Sequence, residues 1–356
     1  MKKVLFFFIC LVLVVGVGVA WLVTSPYCAP KTLAATQQQV EVRAAMDIGS
    51  GATNLKVAKV DRNTNKIIQM LFERSIPVAY QKQLEKSVDG SFDRDVMNQG
   101  IKAIKALKAD ADQYGVKKVV AVATAAFRHA KNSESFMKEI VAQTGVDVEV
   151  ISQDEEGIMA FRAALATTSI SADRAVVWDI GGGSLQIAAL RAGDELIVAK
   201  GGTASAPFKN YIIEKIEGKD AAIIHSPNPM NPEQMKQAMD YSASIANATI
   251  NEEIKQKLQH KETVVLAVGN LFNHGIRSFV YPSSSERTLT KEQLLQAVQQ
   301  KAGMTDAQLS SDSFAEVVIS NPLLVLGFME ALSIDKLTIV DVNNADGALT
   351  YPAYWK

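Results

Sequence analysis

The sequence predicts an α/β protein built from two similar halves. Three observations carry this prediction: a glycine-rich hairpin that occurs twice, an alternation of strand-like and helix-like segments after each copy, and a length of 356 residues. That length exceeds the roughly 100–200 residues of one typical domain. We therefore expect two domains flanking one central cleft, the first at residues 40–170 and the second at residues 171–356.

The N-terminus carries an apolar segment that comes before both halves. Lys2 and Lys3 precede an unbroken apolar run over residues 4–23. About 20 apolar residues suffice to cross a bilayer as a helix, and the two lysines favour a cytoplasmic N-terminus. We expect residues 1–39 to form a signal anchor and linker, which places the folded part outside the cytoplasm, in the periplasm or at the cell surface. Small residues near Ala35 leave signal cleavage and secretion open as the alternative.

Charge and cysteine content narrow the range of partners. The formal net charge is −1, and the chain has no run of clustered lysine and arginine, which argues against a nucleic-acid partner. Cys10 and Cys28 both come before the folded part, so no disulfide is expected within it. The oligomeric state stays open, with a homodimer as one option.

Each predicted half starts with a hairpin, and helices alternate with strands behind it. The first hairpin covers residues 43–61 and the second residues 174–193, because two alternating apolar runs flank a glycine turn in each. Behind them, hydrophobic periodicity predicts the following elements: a helix at 94–114, a strand at 118–124, a helix from 125, a strand at 146–151, a helix from 154, a long helix at 232–258, a strand at 263–268, helices at 291–301 and 322–332, and a strand at 336–342.

The two hairpins match position by position. The matched pairs are Asp47 with Asp179, Ile48 with Ile180, Gly49 with Gly181, Gly51 with Gly183, Asn54 with Gln186 and Leu55 with Ile187. Glycines with positive φ can turn several N–H groups towards one anion, and an aspartate at the strand end can hold Mg²⁺ beside it. One such turn is equally consistent with an ordinary tight hairpin, whereas two matched copies favour a phosphate site.

Two further stretches supply charged side chains for the same cleft. Arg128 lies in the first turn of a short helix, with Thr124 as the expected N-cap, and a cleft-facing arginine can bind phosphate bidentately. Ser152 and Glu155 form a capping box, in which the Glu155 side chain folds back on the backbone. Glu156 is then the carboxylate that remains free to face the cleft.

Four segments together resemble one known family. "DIGSGATNLKVA", "ATAAFRHAKN", "VEVISQDEEG" and "VVWDIGGGSLQIA" occur here in the order and spacing of the exopolyphosphatase and guanosine pentaphosphate phosphatase (Ppx/GppA) family, and the C-terminal stretch is similar as well. The resemblance implies the actin-like ATPase fold, with two RNase-H-like domains around a deep cleft. It also implies Mg²⁺-dependent hydrolysis of phosphoanhydride bonds.

The resemblance assigns roles by position. It places metal-linked aspartates at Asp47 and Asp179, and a catalytic set at Glu156, Arg128 and Asp179. The residues expected to bind phosphate are Gly49, Ser50, Gly51, Thr53, Arg128, Gly181, Gly182, Gly183 and Ser184.

The sequence also departs from the family pattern. Leu185 stands in place of a threonine, Gln186 in place of a carboxylate, and the first turn lacks an asparagine and a serine. Two functions follow: a hydrolase of polyphosphate or a similar phosphorylated ligand outside the cytoplasm, or a catalytically weakened relative that binds such a ligand as a sensor. Gln186 separates the two, because an amide cannot take a proton or supply negative charge to a cation.

The membrane topology can be tested with a fusion protein. Alkaline phosphatase fused after Lys356 is expected to be active, because the lysines before residues 4–23 should direct the rest of the chain outwards. The same fusion without residues 4–23 serves as the control and should be inactive. Activity of a cytoplasmic reporter at the same position would contradict the orientation.

Overall fold

The fold is described here from a computed structural model that covers residues 39–191, 193, 195–309 and 314–356. The predicted segment at residues 4–23 lies outside the described residues. Among the residues that are described, no helix is both long and apolar enough to span a membrane.

The first half starts with three antiparallel strands and continues as helices and strands in alternation. Its elements are β1 (Val40–Ile48), β2 (Ala52–Asp61), β3 (Ile67–Pro77), α1 (Tyr80–Glu85), α2 (Arg94–Asp112), β4 (Val119–Ala123), α3 (Ala125–His129), α4 (Ser133–Thr144), β5 (Asp147–Val150) and α5 (Gln153–Thr167).

The second half begins in the same way and carries additional helices. Its elements are β6 (Ala175–Ile180), β7 (Leu185–Leu190), β8 (Leu196–Gly201), α6 (Ser205–Tyr211), α7 (Pro232–Thr249), α8 (Glu252–Leu258), β9 (Val264–Val268), α9 (Arg277–Val280), β10 (Thr288–Thr290), α10 (Lys291–Lys301), α11 (Asp306–Leu309), α12 (Ser320–Ala331), β11 (Lys336–Ile339) and α13 (Asn344–Thr350). Short 3-10 or π turns occur at Ala172–Arg174, Ile212–Ile216, Leu271–Ile276, Ala315–Val317 and Pro352–Trp355.

The two sheets share one strand order. The first sheet runs β3-β2-β1-β4-β5, and the second runs β8-β7-β6-β9-β11 with β10 added at the edge. In both, the hairpin strands pair antiparallel, while β1 with β4 and β6 with β9 pair parallel. The internal repeat read from the two hairpins is therefore part of a repeated sheet.

Two helices lie between the sheets and connect them. Through Phe161 and its neighbouring alanines, α5 packs on a cluster that includes Val177 of the second sheet. Met159 of the same helix joins a cluster with α13 and the first sheet. A Cβ on Gly347 of α13 would lie 2.6 Å from the Met159 Cβ, so the close crossing of α5 and α13 requires glycine there.

Buried polar contacts hold α13 against the first sheet. Lys56 of β2 pairs with Asp346 at 2.8 Å, and both side chains are buried. Arg43 of β1 donates to the Leu349 carbonyl at 2.9 Å and stacks over the Trp355 ring. The C-terminal helix thus packs on the first sheet although it follows the second in the sequence. The described residues form one compact unit, and the division at 170/171 stays a prediction.

The long helix predicted at 232–258 is wrong in one respect, because the structure divides it into α7 and α8. The first helix ends at Thr249 with Ile250 as its C-cap, and Asn251 caps the second, since its side chain accepts from the Ile254 N–H. A local side-chain hydrogen bond of this kind competes with helix continuation. The hydrophobic periodicity did not reveal the break, because the buried positions of α7 and α8 keep the same spacing along the sequence.

Candidate functional site

The hairpins place one aspartate at the end of the central strand of each sheet. Asp47 ends β1 opposite Asn54 of β2, and Asp179 ends β6 opposite Gln186 of β7. The alignment of the two hairpins is therefore confirmed, register included. Each aspartate lies at the carboxyl end of a strand that is parallel to its neighbour, which is where open α/β sheets place ligands.

Each aspartate is followed by a tight turn, which we call the first glycine turn (residues 49–51) and the second glycine turn (residues 181–183). The Gly49 N–H donates to the Ala52 carbonyl at 2.9 Å, and the Gly181 N–H donates to the Ser184 carbonyl at 2.8 Å. The expectation of positive φ in these turns is wrong, because no glycine of either turn adopts it. The turns close through these short hydrogen bonds without the left-handed conformation.

Close approach explains the glycines of the second turn. A Cβ on Gly182 would lie 2.8 Å from the Cβ of Ser50, and one on Gly183 would lie 3.1 Å from Oε1 of Gln81 and 3.2 Å from the Cβ of Ala125. Both glycines therefore leave room for residues of the first half. The two glycine turns therefore contact each other at Ser50 and Gly182.

A short helix supports each glycine turn from behind. The Gln81 N–H of α1 donates to the Ser50 carbonyl at 2.9 Å, and the Ala206 N–H of α6 donates to the Gly182 carbonyl at 2.9 Å. Because Ser50 and Gly182 occupy matching positions, the repeat extends over three strands and a helix in each half. Neither helix has a side-chain cap, so no capping signal marked it in the sequence.

Arg128 and Glu156 form an ion pair next to Ser184, the residue that follows the second glycine turn. Arg128 Nη2 donates to Oε2 of Glu156 at 2.8 Å and to Oγ of Ser184 at 3.0 Å, while Nη1 donates to the Ile151 carbonyl at 2.9 Å. Gln186 Nε2 donates to the same Glu156 oxygen at 3.1 Å. Residues of the first half, of α5 and of the second half therefore converge on one carboxylate oxygen.

Local structure positions Glu156. The capping box of Ser152 and Glu155 is confirmed, which leaves Glu156 to point into the protein, where it is 5% exposed. Burial raises the pKa of Glu156, and the neighbouring Arg128 opposes that rise. Thr124 occupies the N-cap position of α3, but its side chain makes no capping hydrogen bond.

The two aspartates are buried without a cationic neighbour of their own. Burial, and next the charge of Glu156, raise the pKa of Asp47 to about 7, and the Asn54 amide partly opposes the rise. The pKa of Asp179 is raised well above its usual range by burial, Glu156 and Asp47. Gly269, with φ of 88°, packs against Asp179, because a Cβ there would lie 2.6 Å from Oδ1.

These groups fit a divalent cation. Oδ1 of Asp47 is buried with no hydrogen-bond partner, and the buried carboxyl groups of Asp47, Glu156 and Asp179 are close enough to raise one another's pKa. Among the described residues no three His, Cys, Asp or Glu side chains are grouped as a complete metal site. Mg²⁺ commonly takes one or two carboxylates and completes its shell with water and phosphate oxygens, so Asp47 and Asp179 are the residues that would hold it.

Not every residue on the predicted list points into the cleft, and one residue was missed. Thr53 is fully buried, and its hydroxyl has no hydrogen-bond partner among the described residues; its phosphate role stays a prediction. Asn344, the first residue of α13, was not predicted. Its backbone interacts with Asp47 and its side chain with Glu156, and only the family-like C-terminal stretch could have pointed to it.

Known proteins resemble this chain first in fold and then in part of its sequence. The fold is that of actin-like ATPases: a solved Ppx/GppA enzyme of Aquifex aeolicus superimposes with a TM-score of 0.68 at 21% identity, over 87% of this chain and 99% of that one. The family model for the Ppx/GppA phosphatase family matches residues 57–200. The resemblance to the Ppx/GppA family is therefore confirmed.

Curated relatives match shorter segments. The bifunctional 3-dehydroquinate synthase/phosphatase of Fusobacterium nucleatum is 26% identical over 151 residues, which is 41% of this chain and 22% of that protein. Exopolyphosphatase 1 of Mycobacterium tuberculosis is 36% identical over 73 residues, or 20% of this chain and 21% of that protein. The matched segments thus span about a fifth of these relatives' own length.

The raised pKa of Asp47 predicts a pH-dependent stability. The folded state binds this proton more tightly than the unfolded state, whose ordinary pKa is 3.8, so the contribution of Asp47 to stability without Mg²⁺ should fall as the pH rises from about 4 to about 7. A tenfold change in proton affinity corresponds to about 1.4 kcal/mol, which makes the loss on the order of 4 kcal/mol. Urea unfolding of the wild type and of Asp47→Asn across this range measures it.

The difference between these two proteins isolates the contribution of Asp47 from other titrations. Asp47→Asn should lose less stability over the same pH interval than the wild type. Asp240→Asn changes a residue of an exposed helical ion pair and is the control. Its stability should change with pH as that of the wild type does. Parallel curves for the wild type and Asp47→Asn would contradict the raised pKa.

Proposed function

We propose that the chain is a Mg²⁺-dependent phosphohydrolase that cleaves phosphoanhydride bonds of polyphosphate or a similar phosphorylated ligand. The observation that carries the proposal is the burial of Glu156 against Arg128 between two facing glycine turns, each preceded by an aspartate. The confirmed resemblance to a phosphatase family supports it, as does the match to a relative named exopolyphosphatase 1.

Arg128 is the group that would bind the terminal phosphoryl group. Its Nε is buried and has no hydrogen-bond partner, while both terminal nitrogens are already engaged. An incoming phosphate oxygen would compete with Glu156 and Ser184 for Nη2. Charge-assisted hydrogen bonds from arginine to phosphate are about twice as strong as neutral ones.

Glu156 is the group that would orient and deprotonate water. Its Oε2 already accepts from Arg128 and Gln186, so an attacking water would meet the other oxygen or take the place of a displaced donor. Burial raises the pKa of this carboxylate, which makes it a stronger base than an exposed glutamate. The proton would pass from water to Glu156 as the water oxygen attacks phosphorus in line. The bond from phosphorus to the bridging oxygen would break on the opposite side, so that orthophosphate forms and the shortened phosphate chain leaves with the bridging oxygen.

Bound Mg²⁺ would neutralise the phosphoryl oxygens and stabilise the charge that develops in the transition state. Asp47 and Asp179 would hold the ion, and their raised pKa values imply that binding displaces protons. Ser184, which contacts Arg128, would orient the phosphate beside the second glycine turn.

A ligand-binding protein without turnover is the second candidate, and Gln186 favours it. Its amide donates to Oε2 of Glu156 at 3.1 Å, where a carboxylate would instead repel Glu156 and attract a cation. The amide stabilises the ionised Glu156 and adds no negative charge for Mg²⁺. Such a site retains its phosphate-binding groups and lacks one group of the hydrolytic set.

The location proposed for this activity is outside the cytoplasm. This part of the proposal depends only on the apolar segment at residues 4–23. Polyphosphate is then a more suitable ligand than a cytoplasmic nucleotide. The alkaline phosphatase fusion described above tests this location independently of the chemistry.

Phosphate release from polyphosphate by the full-length chain with Mg²⁺ tests the function. Arg128→Ala should weaken pyrophosphate binding roughly ten- to a hundredfold, because a hydrogen bond to a charged group contributes about 1.5–3 kcal/mol. Glu156→Gln should bind with near wild-type affinity and turn over about 10²–10⁴-fold more slowly. Calorimetry and phosphate release measure the two effects separately.

Arg94→Ala provides the matched control, since Arg94 forms an exposed pair with Glu139 and should have no effect on either measurement. Unchanged pyrophosphate affinity in Arg128→Ala would remove Arg128 from the site. Loss of pyrophosphate binding in Glu156→Gln would show that Glu156 contributes to ligand binding rather than to the activation of water.

Gln186→Glu distinguishes the enzyme from the binding protein. The substitution places a second carboxylate beside Glu156, and like charges this close raise one of the two pKa values unless a cation intervenes. We expect a lower melting temperature without Mg²⁺, recovery with Mg²⁺, and faster Mg²⁺-dependent phosphate release than in the wild type.

Gln186→Met is the control, because it removes the amide without adding charge and should not increase turnover. A wild type already as fast as Gln186→Glu would show that the amide is no handicap. A Gln186→Glu protein that binds Mg²⁺ but stays inactive would favour the sensor.

A further inference from the structure

The two helices behind the glycine turns are joined by one carboxylate. Oε1 of Glu316 lies 3.2 Å from Nζ of Lys82 in α1, and Oε2 lies 3.7 Å from Nζ of Lys209 in α6. Glu316 sits in the short turn at Ala315–Val317, just before α12. Each oxygen of this side chain therefore faces an ammonium group from a different half. We call these three residues the lysine bridge.

The lysine bridge joins separately packed parts of the protein. Tyr80, at the start of α1, belongs to the hydrophobic core of the first half. Phe208 of α6 and Ile319, three residues after Glu316, belong to the core of the second half. The pair between Lys82 and Glu316 consequently crosses between the halves, whereas the pair between Lys209 and Glu316 stays within the second.

Both bridged helices hold a glycine turn. Gln81, next to Lys82, donates to the Ser50 carbonyl, and Ala206, three residues before Lys209, donates to the Gly182 carbonyl. Ser50 and Gly182 are also the residues at which the two turns touch. A change in the spacing of α1 and α6 must therefore change the spacing of the turns.

We propose that Glu316 is a positioning residue that sets the gap between the two glycine turns and thereby tunes phosphate binding. The effect on binding rests on the proposed function, whereas the effect on the gap does not. Lys82 is 46% exposed at its side chain and Glu316 is 19% exposed, so salt should weaken the link between the halves. Lys209 is only 8% exposed, which fixes Glu316 in place for Lys82.

Lys82→Met is the informative substitution. It removes the link between the halves and leaves the more buried pair of Lys209 and Glu316 intact, so folding should be preserved. Lys82→Arg keeps a cation at the same place and should behave as the wild type. Asp240→Asn removes a carboxylate from an exposed pair within α7 and serves as the matched control.

Distance measurement tests the gap without any ligand. Spin labels at Val88→Cys, after α1, and Glu214→Cys, after α6, report the separation in the full-length chain carrying Cys10→Ser and Cys28→Ser. We expect longer or broader distances in Lys82→Met and Glu316→Gln, and in the wild type at high salt. Lys82→Arg and Asp240→Asn should keep the wild-type distribution.

Affinity for pyrophosphate with Mg²⁺ tests the consequence. An ion pair exposed to this degree contributes about 0.2–1 kcal/mol, so Lys82→Met should weaken binding by roughly up to fivefold without unfolding the protein. Distances that stay at the wild-type value in both Lys82→Met and Glu316→Gln would overturn the proposal. Changed distances with unchanged affinity would overturn its link to phosphate.

The proposed function fails separately from this proposal. If the wild type does not bind pyrophosphate at all, the proposed phosphohydrolase is wrong, and the distances alone then decide whether Glu316 sets the gap. If Arg128→Ala abolishes binding while Lys82→Met leaves both distance and affinity unchanged, the function stands and the bridge has no positioning role.

Discussion

The site depends on the ion pair between Arg128 and Glu156. Arg128 comes from the first half, Glu156 from the helix between the sheets, and Ser184 and Gln186 from the second half, and all four meet at one carboxylate oxygen. A buried charge is costly unless it is paired and hydrogen-bonded. The arrangement of α3, α5 and the second hairpin around this oxygen meets that requirement, and it also places the turns opposite each other.

The other two carboxyl groups of the site form no salt bridge among the described residues. Asp47 and Asp179 are buried beside Glu156, and the pKa values of both are raised. A structural role alone would not require three carboxylates with so few donors, since apolar side chains would pack there at lower cost. Carboxyl groups with strongly raised pKa values are typical of functional sites, which supports the proposal that a cation binds there together with phosphate.

The repeated architecture places Asp47 and Asp179 at matching positions of the two halves. Each half supplies a strand with an aspartate near its end, a glycine turn, and a helix whose backbone N–H donates to a carbonyl of that turn. The site is therefore formed by two copies of the same structural unit. The two hairpins differ at one matched position. The Asn54 side chain contacts Asp47 of its own hairpin, whereas the Gln186 side chain contacts Glu156. α13 adds a third contribution, because the buried pair of Lys56 and Asp346 fixes it to the first sheet and brings Asn344 to the cleft.

The sequence by itself determined the α/β class, the two hairpins with their register, and the choice of Arg128 and Glu156. These features depend on local patterns: alternating apolar residues, glycine turns, and the capping box that frees Glu156. Tertiary structure alone decided how the turns are used. The glycines of the second turn serve close approach to Ser50, Gln81 and Ala125 rather than positive φ, and such contacts depend on residues far away in the chain.

Long-range packing likewise decided the parts that the sequence did not reveal. Asn344 reaches the cleft because Gly347 lets α13 cross α5 closely, and α1 and α6 reach the turns without any capping signal. The break at Asn251 escaped periodicity because both helices keep the same apolar spacing. Local pattern fixes which element forms, whereas burial and the pairing of distant charges fix where that element lies.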